Sequence, residues 1–241
     1  MADVYQPSVA PTWTPSLPCY GGVNHRQMRV EQLPPRKVTL VQWHPPSPGF
    51  LKLNTDGSAF GQPGPASYGG LIRGEKGEWI CGYAGNIGIR TSLTAEICGI
   101  YKGLCLIREK NLCRVMIETD CMAAISLISS REEVDDKHPM KRIIDECREI
   151  MASCGCFMVH TVREGNFCAD MLAKLGHWLQ SDYIELRDPP LEVTPYLSRD
   201  AVGFKYKRPL RHCAPKGNFI EIEPQEGIEQ RDAKIKVVRV T

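Results

Sequence analysis

Four carboxylates sit in four short contexts along one stretch of the chain. They are Asp56 in Asn54-Thr55-Asp56-Gly57-Ser58, Glu96 in Thr94-Ala95-Glu96, Asp120 in Glu118-Thr119-Asp120, and Asp170 in Asn166-Phe167-Cys168-Ala169-Asp170. The flanks place each at the end of a strand or the start of a helix, positions from which residues distant in sequence converge on one patch of a sheet. Clustered carboxylates repel one another, so a site of this kind suits hard divalent cations, and Mg²⁺ with one or two carboxylates per ion is the usual occupant. The set points to two-metal phosphodiester chemistry. Any one of these acids alone could be a helix cap or a solvated surface group. Four together in such contexts are poorly explained that way.

The elements that must position them follow from periodicity. Leu51-Lys52-Leu53-Asn54-Thr55-Asp56 alternates apolar and polar residues and ends at Gly57, as a half-buried strand does. Ser67 to Arg73 and Glu78 to Ala84 flank a Gly-Glu-Lys-Gly turn and read as a hairpin. Leu93 to Glu109 switches to helical spacing, with Ile97, Ile100, Leu104 and Ile107 on one face and Thr94 or Ser92 placed to cap its start. Gly99 and Gly103 lie four apart on that helix, a spacing that permits close packing on a sheet or a second helix. Cys113 to Glu118 reads as a buried strand, Cys121 to Ser129 and Pro139 to Ser153 as helices, Phe157 to Val162 as a strand, and Asn166 to Leu175 as a final helix. The order βββ-α-β-α-α-β-α predicts an α/β fold: a mixed five-stranded sheet, three antiparallel strands followed by parallel ones, flanked by helices.

The rest of the chain bounds the problem. Its 241 residues, 42% of them hydrophobic, suffice for one domain with extensions. A net charge of +2 is too mild to mark a nucleic-acid binder by bulk electrostatics, so such binding must be local. Eleven cysteines lack a Cys-x-x-Cys pair, and residues 1–25 hold no Lys or Arg for a charged leader. They read as reduced, buried groups of an intracellular protein of nucleus or cytoplasm, not a secreted one. No apolar run reaches the length of a membrane span. Half of the 18 prolines fall before residue 50. Residues 1–37 are expected to be a Pro-rich disordered tail, after which Val38 to Trp43 begins the domain by pairing weakly with its edge. The domain is expected over 38–178. Residues 179–241 read as a partly irregular extension in which Pro189, Pro190 and Pro195 break the chain, Lys205 to Arg211 forms a solvated basic segment, and Ile220 with Ile222 and Ile235 with Val237 form short strands.

At these residues the chain resembles the ribonuclease H family, and more narrowly the domains found in plant retroelements beside a reverse transcriptase. The resembling residues are Trp43-His44-Pro45-Pro46, Leu53 to Ser58, Tyr68-Gly69-Gly70-Leu71-Ile72-Arg73, Thr94-Ala95-Glu96, Glu118-Thr119-Asp120, and Arg163-Glu164-Gly165-Asn166 with Ala169-Asp170-Met171-Leu172-Ala173. The resemblance implies a ribonuclease H-like fold and an endonuclease that cuts the RNA strand of RNA–DNA hybrids with two Mg²⁺ ions, Mn²⁺ being a substitute. It implies Asp56 as the bridge between the ions, Asp170 completing the ion that activates water, and Glu96 and Asp120 holding the ion at the 3′-oxygen leaving group. Gly57, Ser58, Thr91, Ser92, Arg163 and Asn166 are the implied nucleic-acid contacts. A monomer is expected, with a reverse-transcriptase module as a possible neighbour in a parent polyprotein.

The chain also departs from the family. The loop before Asp170 has no histidine, leaving Arg163 or Glu164 as the implied substitute. The connection Arg131-Glu132-Glu133-Val134-Asp135-Asp136-Lys137 is short and acidic where many relatives insert a basic helix, and it would repel phosphates. These departures sustain an alternative expectation, a nucleic-acid-binding or assembly module that keeps the fold with little turnover.

Overall fold

The structure is a computed structural model, and it describes residues 38–209. The expectations for residues 1–37, and for the strands at Ile220, Ile222, Ile235 and Val237, lie outside the described residues. Among the described residues no helix is long and apolar enough to cross a membrane, and the cysteines are unpaired.

The alternating segment forms β2 (Leu51–Ala59), preceded by β1 (Val38–Val41) and followed by β3 (Gly64–Arg73) and β4 (Trp79–Arg90). Then come α1 (Ser92–Glu109), β5 (Val115–Thr119), α2 (Met122–Ser129), α3 (Lys141–Cys154), β6 (Phe157–His160), a 3₁₀ turn at Arg163–Gly165 and α4 (Phe167–Gly176). β7 (Ile184–Leu186), α5 (Thr194–Ala201) and β8 (Tyr206–Pro209) complete the described chain. The main sheet runs β6-β5-β2-β3-β4-β7. β2, β3 and β4 are antiparallel neighbours, whereas β5 lies parallel to β2 and β6 parallel to β5. This is the expected mixed order.

The sheet has six strands where five were expected. The sixth, β7, is only three residues long, too short to display alternation, and it pairs antiparallel with β4. β1 does not join the edge of this sheet as anticipated. It pairs with β8 in a separate two-stranded ribbon, Val38 opposite Pro209 and Val41 opposite Tyr206, so part of the segment read as a solvated basic tail is paired backbone. Pro195 does not break the chain; it sits in the first turn of α5, where a missing N–H costs no helical bond.

Side chains alternate across β2, and each face has its own core. Leu53, Tyr68, Ile72 and Tyr83 pack with Ile97, Ile100 and Leu104 of α1 and Ile144 and Cys147 of α3. On the other face Leu71 packs with Cys168, Ala169 and Leu172 of α4 and with Val193 before α5. The two glycines of α1 act as expected: a Cβ on Gly99 would press on the Thr55 hydroxyl, and one on Gly103 on Leu53 and the Tyr83 hydroxyl. The resulting closeness lets Tyr83 Oη donate to the Gly99 carbonyl at 2.7 Å. Gly57 does the same from the strand side, for a Cβ there would collide with the backbone of Ala95 and Glu96. Glu96 is thereby held against the strand that carries Asp56.

Candidate active site

Each acid reaches the centre from a different element. Asp56 lies on β2, Glu96 early in α1, Asp120 directly after β5, and Asp170 in the first turn of α4. Carboxylate oxygens of Asp56, Glu96 and Asp120 all lie within 4.8 Å of one another. Asp56 and Glu96 are 7% and 8% exposed, and Asp120 is half-buried. Burial, and then the charges of Glu96, Asp120 and Asp170, hold the Asp56 carboxyl well above the usual carboxylate range. Burial followed by the Asp120 charge pushes Glu96 up to about 8, against the opposing pull of the Gly57 N–H and the Thr119 hydroxyl. Among the described residues none of these three carboxylates has a cationic side-chain partner. Hard oxygen donors gathered with uncompensated charge fit a divalent cation of the Mg²⁺ type.

Asp170 is near enough to act on Asp56 through its charge, but it stands apart in its partners. Its Oδ1 accepts from Arg163 Nη2 at 2.8 Å and its Oδ2 from Lys174 Nζ at 2.5 Å. The Arg163 side chain is otherwise largely exposed beside the centre. Lys174 was missed in the sequence, although its signal was present: a lysine four residues after an acid on one helix is a standard ion-pair spacing.

The residues expected to meet nucleic acid divide. Ser58 Oγ is 3.0 Å from His177 Nε2, and the His177 ring stacks on the exposed Phe60 at 4.1 Å between centroids. Thr91 caps α1, its hydroxyl accepting from the Thr94 N–H at 3.2 Å. Ser92 Oγ accepts from Gln62 Nε2 at 2.5 Å, and its N–H donates to Gln62 Oε1 at 3.2 Å. Gly57 lies against Glu96 and Arg163 on Asp170. Asn166 is 2% exposed, and both ends of its amide are engaged inside, Oδ1 accepting from Asn54 Nδ2 at 3.1 Å and Nδ2 donating to the Thr55 carbonyl at 3.0 Å. A polar residue preceding a helix in a loop looks like a surface contact in sequence; here it turns inward because the neighbouring strand offers buried partners.

A mixed sheet in this strand order, with acids from the central strand, its parallel neighbour and a helix on each face, defines the ribonuclease H fold class. The chain belongs to the reverse transcriptase-like family, whose model matches residues 54–176. A protein of Arabidopsis thaliana named for ribonuclease H is 32% identical over 178 residues, which are 73% of this chain. The chain spans only 28% of that relative's length. The solved structure of LC9-RNase H1, described as a type 1 RNase H with the type 2 active-site motif, is similar with a TM-score of 0.51 at 12% identity, covering 68% of this chain and 89% of that one. RNase H1 of Halobacterium salinarum has a TM-score of 0.49 at 22% identity, covering 53% and 97% respectively.

Proposed function

We propose that this chain is a divalent-metal-dependent endonuclease that hydrolyses the RNA strand of RNA–DNA hybrids. The observation that carries the reading is the convergence of Asp56, Glu96 and Asp120 within 4.8 Å, with Asp170 close enough to raise the Asp56 pKa. The name of the Arabidopsis relative supports the same activity. The family's description accords with a retroelement origin.

Asp56 would be shared between two Mg²⁺ ions, with Asp170 completing one and Glu96 and Asp120 the other. The ions, when bound, supply Lewis-acid stabilisation at the attacking and leaving oxygens of an in-line displacement. The protein's own contribution is geometry and charge. Asp56 and Glu96 give up the protons that burial and mutual repulsion favour, and so provide ligands that are costly to leave unneutralised. Arg163, largely exposed beside Asp170, would neutralise a scissile phosphate. RNA is told from DNA by its 2′-hydroxyl, which the Gly57 backbone, Ser58 and Glu96 would meet. His177 braces Ser58 for that contact.

The second reading, a binding module with little turnover, is favoured by the two cations that grip Asp170 and by the acidic Arg131–Lys137 connection. Cleavage of a labelled RNA strand paired with DNA, in Mg²⁺ and in Mn²⁺ at low salt, separates the two. Hybrid-specific cutting that spares an all-DNA duplex is expected. Asp56→Asn should abolish it while leaving Tm equal or higher, because it relieves carboxylate repulsion. A folded, metal-binding chain that cuts nothing would establish the binding module instead.

A further inference from the structure

Behind the acidic centre lies a second, buried polar cluster. Its junction is Asn54, wholly buried and two residues before Asp56. Asn54 Nδ2 donates to Glu118 Oε2 at 2.9 Å and to Asn166 Oδ1 at 3.1 Å. Glu118 is two residues before Asp120, and the Asn166 carbonyl accepts the N–H of Asp170 at 3.0 Å. One amide thus ties together the three elements that carry Asp56, Asp120 and Asp170.

The other end of that amide is fixed by Trp43, before the matched residues 54–176, and by Arg73, which is itself held from beyond them. Asn54 Oδ1 accepts from Trp43 Nε1 at 3.1 Å and from Arg73 Nη2 at 2.7 Å. The Arg73 guanidinium lies 3.5 Å from the centroid of the Trp43 ring and donates through Nη1 to Asp200 Oδ2 at 2.7 Å. Arg73 is 1% exposed, and the Asp200 side chain 7%. Lys52 Nζ meets Glu118 Oε1 at 2.5 Å, so the cluster balances two cations, Lys52 and Arg73, against two carboxylates, Glu118 and Asp200.

We propose that Asp200, acting through Arg73 and Asn54, is a positioning residue for the carboxylate centre, which makes the segment after the matched region a working part of the site. Among the described residues Asp200 is the carboxylate that pairs with Arg73. Without it a buried guanidinium stands uncompensated, the most damaging way to break such a pair. The acceptors left to it are Asn54 Oδ1, already at 2.7 Å from Nη2, and the weak acceptor Cys168 Sγ at 4.0 Å from Nη1. A stronger pull on Asn54 Oδ1 rotates or displaces the amide whose donors set the register of Glu118 and Asn166. A misplacement on the order of 1 Å costs about a hundredfold in rate when catalysis depends on alignment. The contrary possibility is that Asp200 only fastens α5 to the domain.

The cleavage readout of the test rests on the proposed nuclease function; the metal readout does not. Full-length Asp200→Ala and Asp200→Asn would be compared with the unaltered chain, each well below its own Tm, for Mn²⁺ affinity without nucleic acid and for kcat and KM on the hybrid. Asp200→Ala should weaken Mn²⁺ binding about tenfold and lower kcat on the order of ten- to a hundredfold with KM little changed. Asp200→Asn keeps an oxygen acceptor for Arg73 but not the charge, and should restore part of both. Unchanged Mn²⁺ affinity in a folded Asp200→Ala protein overturns the inference, as does an equal loss in both variants. Should Asp200→Ala not fold, Asp200→Ser carries the same test, with intermediate affinity expected and full affinity overturning it. Absence of cleavage by the unaltered chain would count against the nuclease reading alone, because the Mn²⁺ comparison still decides the role of Asp200.

Discussion

Glu96 couples the carboxylate centre to the stability of the fold. Its carboxyl is pushed up to about 8 from an ordinary 4.5, first by burial and then by Asp120. An acid whose folded pKa is raised holds its proton in the native state over a range where the unfolded chain has lost it. The native advantage is therefore full below the unfolded value and is lost as pH rises through the folded value. Asp56 is shifted in the same direction. Metal-free protein should lose thermal stability between about pH 4.5 and pH 8. A single pKa unit of such shift, about 1.4 kcal/mol, moves Tm by roughly 3–6 °C in a domain of this size. Glu96→Gln should flatten the slope, and saturating Mg²⁺ should reverse it. Thermal melts from pH 5 to pH 8, with and without Mg²⁺, are the measurement; a pH-independent Tm would show that these carboxyls are not paired as described.

At the scale of elements, the approach of α1 to β2 is set by the absence of side chains. Gly57→Ala would drive a methyl group into the backbone of Ala95 and Glu96, and neither is the movable end of a side chain. The helix must retreat, which should cost about 1–3 kcal/mol as overpacking does and carry Glu96 away from Asp56. Urea unfolding and Mn²⁺ titration of the variant should both show the loss; a normal urea midpoint would mean the contact is softer than it looks. Long periodic elements such as α1, β2 and α3, and the acids at their ends, were legible in the sequence because periodicity and flanking residues are local signals. β7 was not, since Ile184-Glu185-Leu186 owes its strand to the waiting edge of β4. β1 and β8 find each other across almost the whole described chain, and no local pattern announces such a pairing. Asn166 was misplaced for a related reason: only the fold reveals that its amide faces Asn54 and the Thr55 carbonyl.

The matched family region and the physical domain do not end together. A chain cut after Gly176 would retain the four acids yet lose β7 from the edge of β4, Val193 from the smaller core, and Asp200 from Arg73. Removing one partner of a buried pair alone costs about 3–5 kcal/mol, against a total stability of about 5–15 kcal/mol for an ordinary domain. A cut after Gly203 would spare all three and remove the β1–β8 pairing, the Arg208–Glu164 bridge and the ring contacts of Phe204 and Tyr206 with Arg199 and Phe167. That bridge is partly exposed, so it is worth at most about 1 kcal/mol. The shorter chain should therefore be unfolded or barely folded, and the longer one should keep a urea midpoint close to that of the full chain with its Mn²⁺ affinity intact. Far-UV circular dichroism across a urea titration distinguishes them. If the chain ending at Gly176 unfolds at the same midpoint as the whole protein, the segment beyond the matched residues is an accessory, and the polar cluster around Asn54 must hold without it.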